Sequence, residues 1–299
     1  MNDEKFGVLC GNYIYIVSIR NYLMIEQQII NDYAAVNDRL LPWDWFVSPY
    51  YNGLEFNKLN TFSVRLTNPY CKEEKEKIGK LVADLLLKGC LDFKFRSIVV
   101  FEGYRVTPNL CKFSHLFEAG LLELYRLNFI ACLGIWVPLV EGIVRSMLGI
   151  TFSHRVNRDD LKNLSANDPD EQPFLDVVVD RLLSFFSHYL YKSVNSTSDL
   201  GSHNLNRHFF SHAISNEPLY CRDNCLKLLN VFDALLAIDF IVDSHFKSIF
   251  DRQHERVKQR KKYYKRVLKQ GLDDVNLFKL NLLEDHPHFD KDFYYGKLK

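Results

Sequence analysis

The chain has 299 residues, 47% apolar and 25% charged, with 38 Lys and Arg against 37 Asp and Glu. That composition fits a folded globular protein and excludes a largely disordered or collagen-like chain. The formal net charge of +1 excludes a globally polycationic protein, so affinity for a polyanion must come from a local patch.

The first residues, MNDEKFGVLC, are polar and mixed in charge, unlike a secretory leader. Cysteines 10, 71, 90, 111, 132, 221 and 225 are odd in number and form no Cys-x-x-Cys pair. Reduced, mostly buried thiols and a cytoplasmic location are expected.

Residues 12–37 read as a helix. Residues 43–69, WDWFVSPYYNGLEFNKLNTFSVRLTNP, mix aromatic residues with Pro, Gly and Asn, which argues for loops and a short strand pair. Trp43 and Trp45 are expected to be core or interface rings. In residues 71–90, Ile78, Leu81, Val82, Leu85 and Leu86 recur at helical spacing and Gly89 closes the segment. FKFRSIVVFEGYRV fits a strand or a helix.

From residue 114 to 150 the pattern is helical, and Pro138 is expected to kink or split it. The most apolar run, Leu127 to Val140, is shorter than the ~20 residues of a membrane span. It reads as a core helix, and no membrane partner is expected. Residues 152–170 form a connection with a turn near Ser165 to Pro169. A helix over 173–192 carries Phe174, Val177, Val178, Arg181, Leu182, Phe185 and Phe186 on one face. After the loop SVNSTSDLGSHN, a short helix from Asn204 ends at Asn216, Glu217 and Pro218. A long helix follows from Tyr220 to about Phe250, through Leu226, Leu229, Val231, Phe232, Leu235, Leu236, Ile238 and Phe240.

The fold class expected is therefore mainly α, with three regions. Residues 1–110 form an N-terminal extension of unassigned role, 111–270 a helical bundle ending in a basic helix, and 271–299 a polar tail.

The short helix, LNRHFFSHAIS over 205–215, is unusually rich in Arg and His. In one reading it is simply structural, with Phe209, Phe210 and Ala213 in the core and the histidines at its edge. In a second, His208 and His212 stand four apart on one helical face and hold a metal. The residue after His208 is Phe209, not the Glu of a zinc protease, and only His203 or Cys221 offers a third ligand. In the third, Arg207 supplies a planar cationic fork for a phosphate and His212 moves a proton near neutral pH. RNA carries its own nucleophile, the 2′-hydroxyl, so such a site needs no metal. Arg207 and His212 are five apart, ~140° around a helix. Two motif helices facing each other across a dimer axis would bring these groups together.

The pattern Asn206-Arg207-His208-x-x-x-His212 resembles the motif of the HEPN (higher eukaryotes and prokaryotes nucleotide-binding) superfamily, in its bacterial form. WVPLVEGIVRSM, with Pro138, Glu141, Gly142 and Arg145, resembles that family's first long helix. Tyr220 with LKLLNVFDALLAI resembles the helix that closes its bundle. The resemblance covers about residues 115–250. It implies an all-α bundle, a homodimer and RNA cleavage without metal or organic cofactor, commonly in toxins or antiphage defence effectors held by an antitoxin or regulatory partner. Carried over, Arg207 and His212 are the catalytic pair and His208 and Asn206 assist. Ala213 departs from the Gly often found after the second His. Some family members have lost catalysis, so a silent module binding RNA, nucleotide or a protein partner is the alternative.

Residues 252–270, RQHERVKQRKKYYKRVLKQ, are dense in positive charge. Arg256, Arg260, Lys261, Lys262, Lys265 and Arg266, with Tyr263 and Tyr264 among them, are candidate RNA contacts. A solvated helix end is the plainer reading. Glu141 is expected to pair with Arg145 on its own helix, with Arg207 as the other candidate partner.

Overall fold

A computed structural model of the chain describes residues 5–10, 13–50, 53–67, 69, 71–90, 92–100, 107–150, 157–191, 221–243 and 255–281. The expected mainly helical fold is present. The one sheet among the described residues is a hairpin of β1 (Lys5–Cys10) and β2 (Tyr13–Ser18), antiparallel, with Lys5 opposite Ser18 and Cys10 opposite Tyr13. The expected strand pair thus lies here and not in 43–69. Residues 13–18, expected as the start of a helix, are a strand because the β-branched run YIYIVS favours extended backbone.

α1 (Ile19–Leu40) buries Ile30, Tyr33, Val36, Asn37 and Leu40, a helical stripe. The chain then turns at Asp44, whose φ of 59° is left-handed. Trp43, Trp45, Phe46 and Val47 follow into the core. The Asn37 side chain holds this segment, accepting from Val47 N at 2.8 Å and donating to Val47 O at 3.3 Å. The stretch expected to hold strands instead forms α2 (Gly53–Ser63). α3 (Lys72–Cys90) buries Val82, Ala83 and Leu86, while Leu81, expected inward, is exposed. The ambiguous FKFRSI becomes α4 (Phe93–Ile98) because Asp92 caps it, accepting from the amides of Lys94 and Phe95.

α5 (Ser114–Tyr125) and α6 (Phe129–Met147) form a helical hairpin. The break falls at Arg126–Asn128, not at Pro138. Leu127 is left-handed at φ 62°, and the Asn128 side chain caps α6 by accepting from Ala131 N. α6 runs unbroken through Pro138, which is exposed, as is Gly134 one turn earlier. The carbonyl that Pro138 leaves without its donor is therefore on the solvent side, and buried Trp136, Val137, Leu139 and Val140 hold both halves in the core. Gly120 lets the two helices touch, because a Cβ there would fall 2.1 Å from Trp136 Nε1. Trp136 Nε1 donates to Phe117 O at 3.1 Å and its ring stacks on Phe117. α6 extends past Val140 to 19 residues and is long and apolar enough to cross a membrane by composition alone. Its Cys132, Leu133, Trp136, Val140 and Ile143 are buried in the bundle.

α7 (Gln172–Phe185) ends in a π turn, Phe186–Leu190. α8 (Arg222–Val242) lies among α3, α6 and α7. It is buried on every side: each residue from Asn224 to Asp239 is in the interior. α9 (Glu255–Asn281) packs on α4 and α5 and runs well into the expected polar tail. One continuous core joins Tyr33 on α1 to Val267 on α9.

Candidate functional site

Asn206, Arg207, His208 and His212 lie outside the described residues, as does His203. The residues on either side of them in the chain are described. α7 ends with Tyr189 in its π turn, and α8 begins at Arg222. These two ends meet. The Tyr189 hydroxyl donates to Asn224 Oδ1 at 2.5 Å, and Lys227 Nζ donates to the same hydroxyl at 3.1 Å. The Lys227 ammonium lies 4.2 Å from the Tyr189 ring centroid and 4.9 Å from that of Trp45. A cation enclosed by two aromatic faces is stabilised without a carboxylate in contact. Burial still pushes the Lys227 pKa down, against the fields of Asp44, Cys221 and Asp223.

The thiols near this cluster are held as thiols. Burial pushes Cys221 up to about 12, and Asp223 adds to the effect. Burial also raises Cys225, which sits beside Cys132. Neither is a ready nucleophile at neutral pH. Among the described residues no three His, Cys, Asp or Glu side chains gather as a metal site would require.

Three further buried polar residues of α8 are each met by a different part of the chain. Asn230 Oδ1 accepts from Ser48 N at 3.0 Å, and its amide donates to Leu226 O. Asp233 takes a 2.6 Å ion pair from Arg96 of α4, both side chains being buried. Asp239 accepts from Asn109 Nδ2 at 2.8 Å and from the amides of Asn109 and Leu110. Buried polar groups need such partners, and here Ser48, Arg96 and Asn109 fix how three other parts of the chain sit against one helix. No pattern in α8 alone signals this, since each partner comes from elsewhere in the chain.

On α6, Arg145 places Nε and Nη2 on Glu141 Oε1 at 3.1 and 3.0 Å, the expected pair.

The basic helix divides by face. Val257, Tyr264, Val267 and Gly271 are buried and Arg260 and Leu268 half-buried, at helical spacing. Arg260 grips Glu118 of α5 as a fork, Nε on Oε1 at 2.5 Å and Nη2 on Oε2 at 2.7 Å, and Tyr264 donates to Oε1 at 2.7 Å. The Glu118 hydrogen bonds raise the Arg260 pKa; burial, then Glu118, raises that of Tyr264. These two candidates for RNA contact thus face inward. Tyr264 has no ring face to offer a base, because it is fully buried and packs on Tyr125. Lys261 is half-buried. Arg256, Lys262, Tyr263, Lys265 and Arg266 are exposed, together with Lys258 and Lys269.

Eight cations against Glu255 alone give residues 255–270 a charge of +7, so the remainder of a +1 chain carries −6. Like charges repeat at four-residue steps: Lys258–Lys262, Lys261–Lys265, Lys262–Arg266 and Lys265–Lys269. Each such pair costs a helix about 0.2–0.5 kcal/mol. Of the outward cations, Lys258 has Glu255 within 3.8 Å.

Comparison with known proteins finds no matching family model, no matching curated protein and no matching solved structure.

Proposed function

We propose that this protein is a metal-independent endoribonuclease of HEPN type, acting as a homodimer, with Arg207 and His212 as its catalytic pair. The observation that carries the reading is the Tyr189–Asn224–Lys227 cluster. It joins the end of α7 to the start of α8, the described elements that flank the motif in the chain. The Arg207 and His212 assignment rests on the residue types and spacing of the motif, and the joined helix ends on either side of it in the chain support the reading.

In the proposed reaction His212 accepts the proton of a 2′-hydroxyl, and that oxygen attacks the adjacent phosphorus. Arg207 stabilises the negative charge gathering on the phosphate oxygens. The bond to the 5′-oxygen breaks, a protonated His supplies its proton, and the products are a 2′,3′-cyclic phosphate and a 5′-hydroxyl. His208 and Asn206 orient these groups. A toxin or defence role with a regulatory partner follows from the family resemblance.

The test is incubation of the purified chain with a mixed RNA pool in excess chelator. Cleavage that persists in chelator, and is lost in Arg207→Ala and His212→Ala proteins with unchanged melting temperature, is expected. Intact RNA retained on a filter would instead make the chain a binding module. Activity returning only with added zinc or manganese would favour the His208/His212 metal reading.

A further inference from the structure

We infer that the outward face of α9 is a binding track for single-stranded RNA, formed by Lys258, Lys262, Lys265, Arg266 and Lys269 with Tyr263 at its edge. This deepens the function proposed above by assigning where the strand is held, and it is testable by binding alone.

The cations are ordered. Lys258, Lys262, Lys265 and Lys269 follow each other at steps of four, three and four residues, so they form one line along the axis. At 1.5 Å per residue the line is about 17 Å long, with a charge roughly every 5 Å. A phosphate backbone is a ligand whose charge also repeats along a line. Tyr263 is 37% exposed, and the Arg266 guanidinium lies 5.6 Å from its ring centroid. An exposed ring with a cation on it suits an unpaired base, which a duplex does not offer.

The helix does not need these charges to fold onto the bundle. Its docking residues are Val257, Arg260, Tyr264, Val267 and Gly271, all on the opposite face. The like-charged pairs Lys262–Arg266 and Lys265–Lys269 stand on exposed residues, away from the face that docks α9. A lipid surface fits less well. The apolar side chains at the centre of α9 turn into the bundle, so the outer face has little to insert between acyl chains.

The experiment uses the full chain with His212→Ala, so that cleavage does not obscure binding. A fluorescent 20-nucleotide oligouridine is the probe, followed by anisotropy over a range of salt. A fourfold variant replaces Lys258, Lys262, Lys265 and Lys269 by Gln. A control replaces Lys58, Lys77, Lys80 and Lys94, exposed lysines of other elements, with the same loss of charge. The track variant is expected to bind at least tenfold more weakly, with its log–log salt slope reduced by about 3. The control is expected to keep most of the affinity, and thermal melting verifies that both fold. Tyr263→Ala is expected to weaken binding without changing the salt slope. Equal losses in the two fourfold variants would overturn the proposal. So would a chain that ignores the oligonucleotide and binds phosphatidylserine vesicles. Binding lost with the track, in a chain whose unmutated form cleaves no RNA, upholds the track and overturns the nuclease reading instead.

Discussion

Tyr189 and Asn224 share a hydrogen bond at 2.5 Å across the 34 residues that separate them in the chain, and the Arg207–His212 motif falls within that interval. The bond is buried, and Lys227 completes it. Tyr189→Phe removes the hydroxyl that satisfies both neighbours and leaves the ring. A loss of about 1–3 kcal/mol in urea unfolding is expected, the cost of stranding buried polar groups. A change below 0.5 kcal/mol (roughly the scatter of a neutral surface substitution) would mean the cluster does not tie the helices together.

Lys227 gives the fold a dependence on pH of known sign. Burial lowers its pKa from the ordinary 10.5, so between the folded and unfolded values the unfolded chain holds the proton more firmly. Stability from this group therefore rises with pH through that window and is lost as pH falls through the folded value. Lys227→Met removes the titration. The stability of the natural chain relative to this variant is expected to increase from pH 7 to pH 10. A difference that stays flat, or runs the other way, would show that the lysine keeps an ordinary affinity for its proton.

Asp233→Asn keeps the shape of the Arg96 contact and removes its charge. The buried guanidinium loses the charge of its 2.6 Å partner, and a loss of about 3–5 kcal/mol is expected. Replacing both residues, Arg96→Met with Asp233→Leu, is expected to recover most of that loss. If the double variant unfolds as easily as the single one, the pair is valued for position and not for charge balance.

Gly271→Ala tests how α9 is seated. A Cβ at this position would lie 2.8 Å from the Arg126 backbone, where nothing flexible can yield. Amide hydrogen exchange along α9 is expected to accelerate at least tenfold, with α8 unaffected. Unchanged protection would mean the helix can shift outward without loosening.

Part of this architecture is legible in the sequence and part is hidden for physical reasons. The apolar spacing of α8 identifies the central helix, but not that Asn230, Asp233 and Asp239 are inside it. Their partners Ser48, Arg96 and Asn109 lie more than a hundred residues away. Pro138 is a stronger local signal than Asn128, yet the break comes at Asn128. A cap stabilises a new helix start, whereas a proline on an exposed flank costs only a bond that water can replace. Tyr263 and Tyr264 look equivalent in RKKYYKR. Glu118 and Tyr125, on another helix, hold the inward ring, and the other ring stays outward. For the candidate site, the motif's residue types are the sequence's contribution, and the tied helix ends and the two faces of α9 are the structure's.

The division of α9 into a seated face and an open one has a consequence for how the protein can vary. Residues that hold the helix and the lysines proposed to meet a polyanion alternate in the chain but lie on different faces. Exchanging an outer lysine for a neutral residue relieves repulsion and leaves the seat intact. Grip can therefore drift, strengthen or disappear over generations while the bundle keeps its shape. If the proposed track is the binding surface, a lineage could give up binding and keep its fold, and the reverse path would need only a few surface codons.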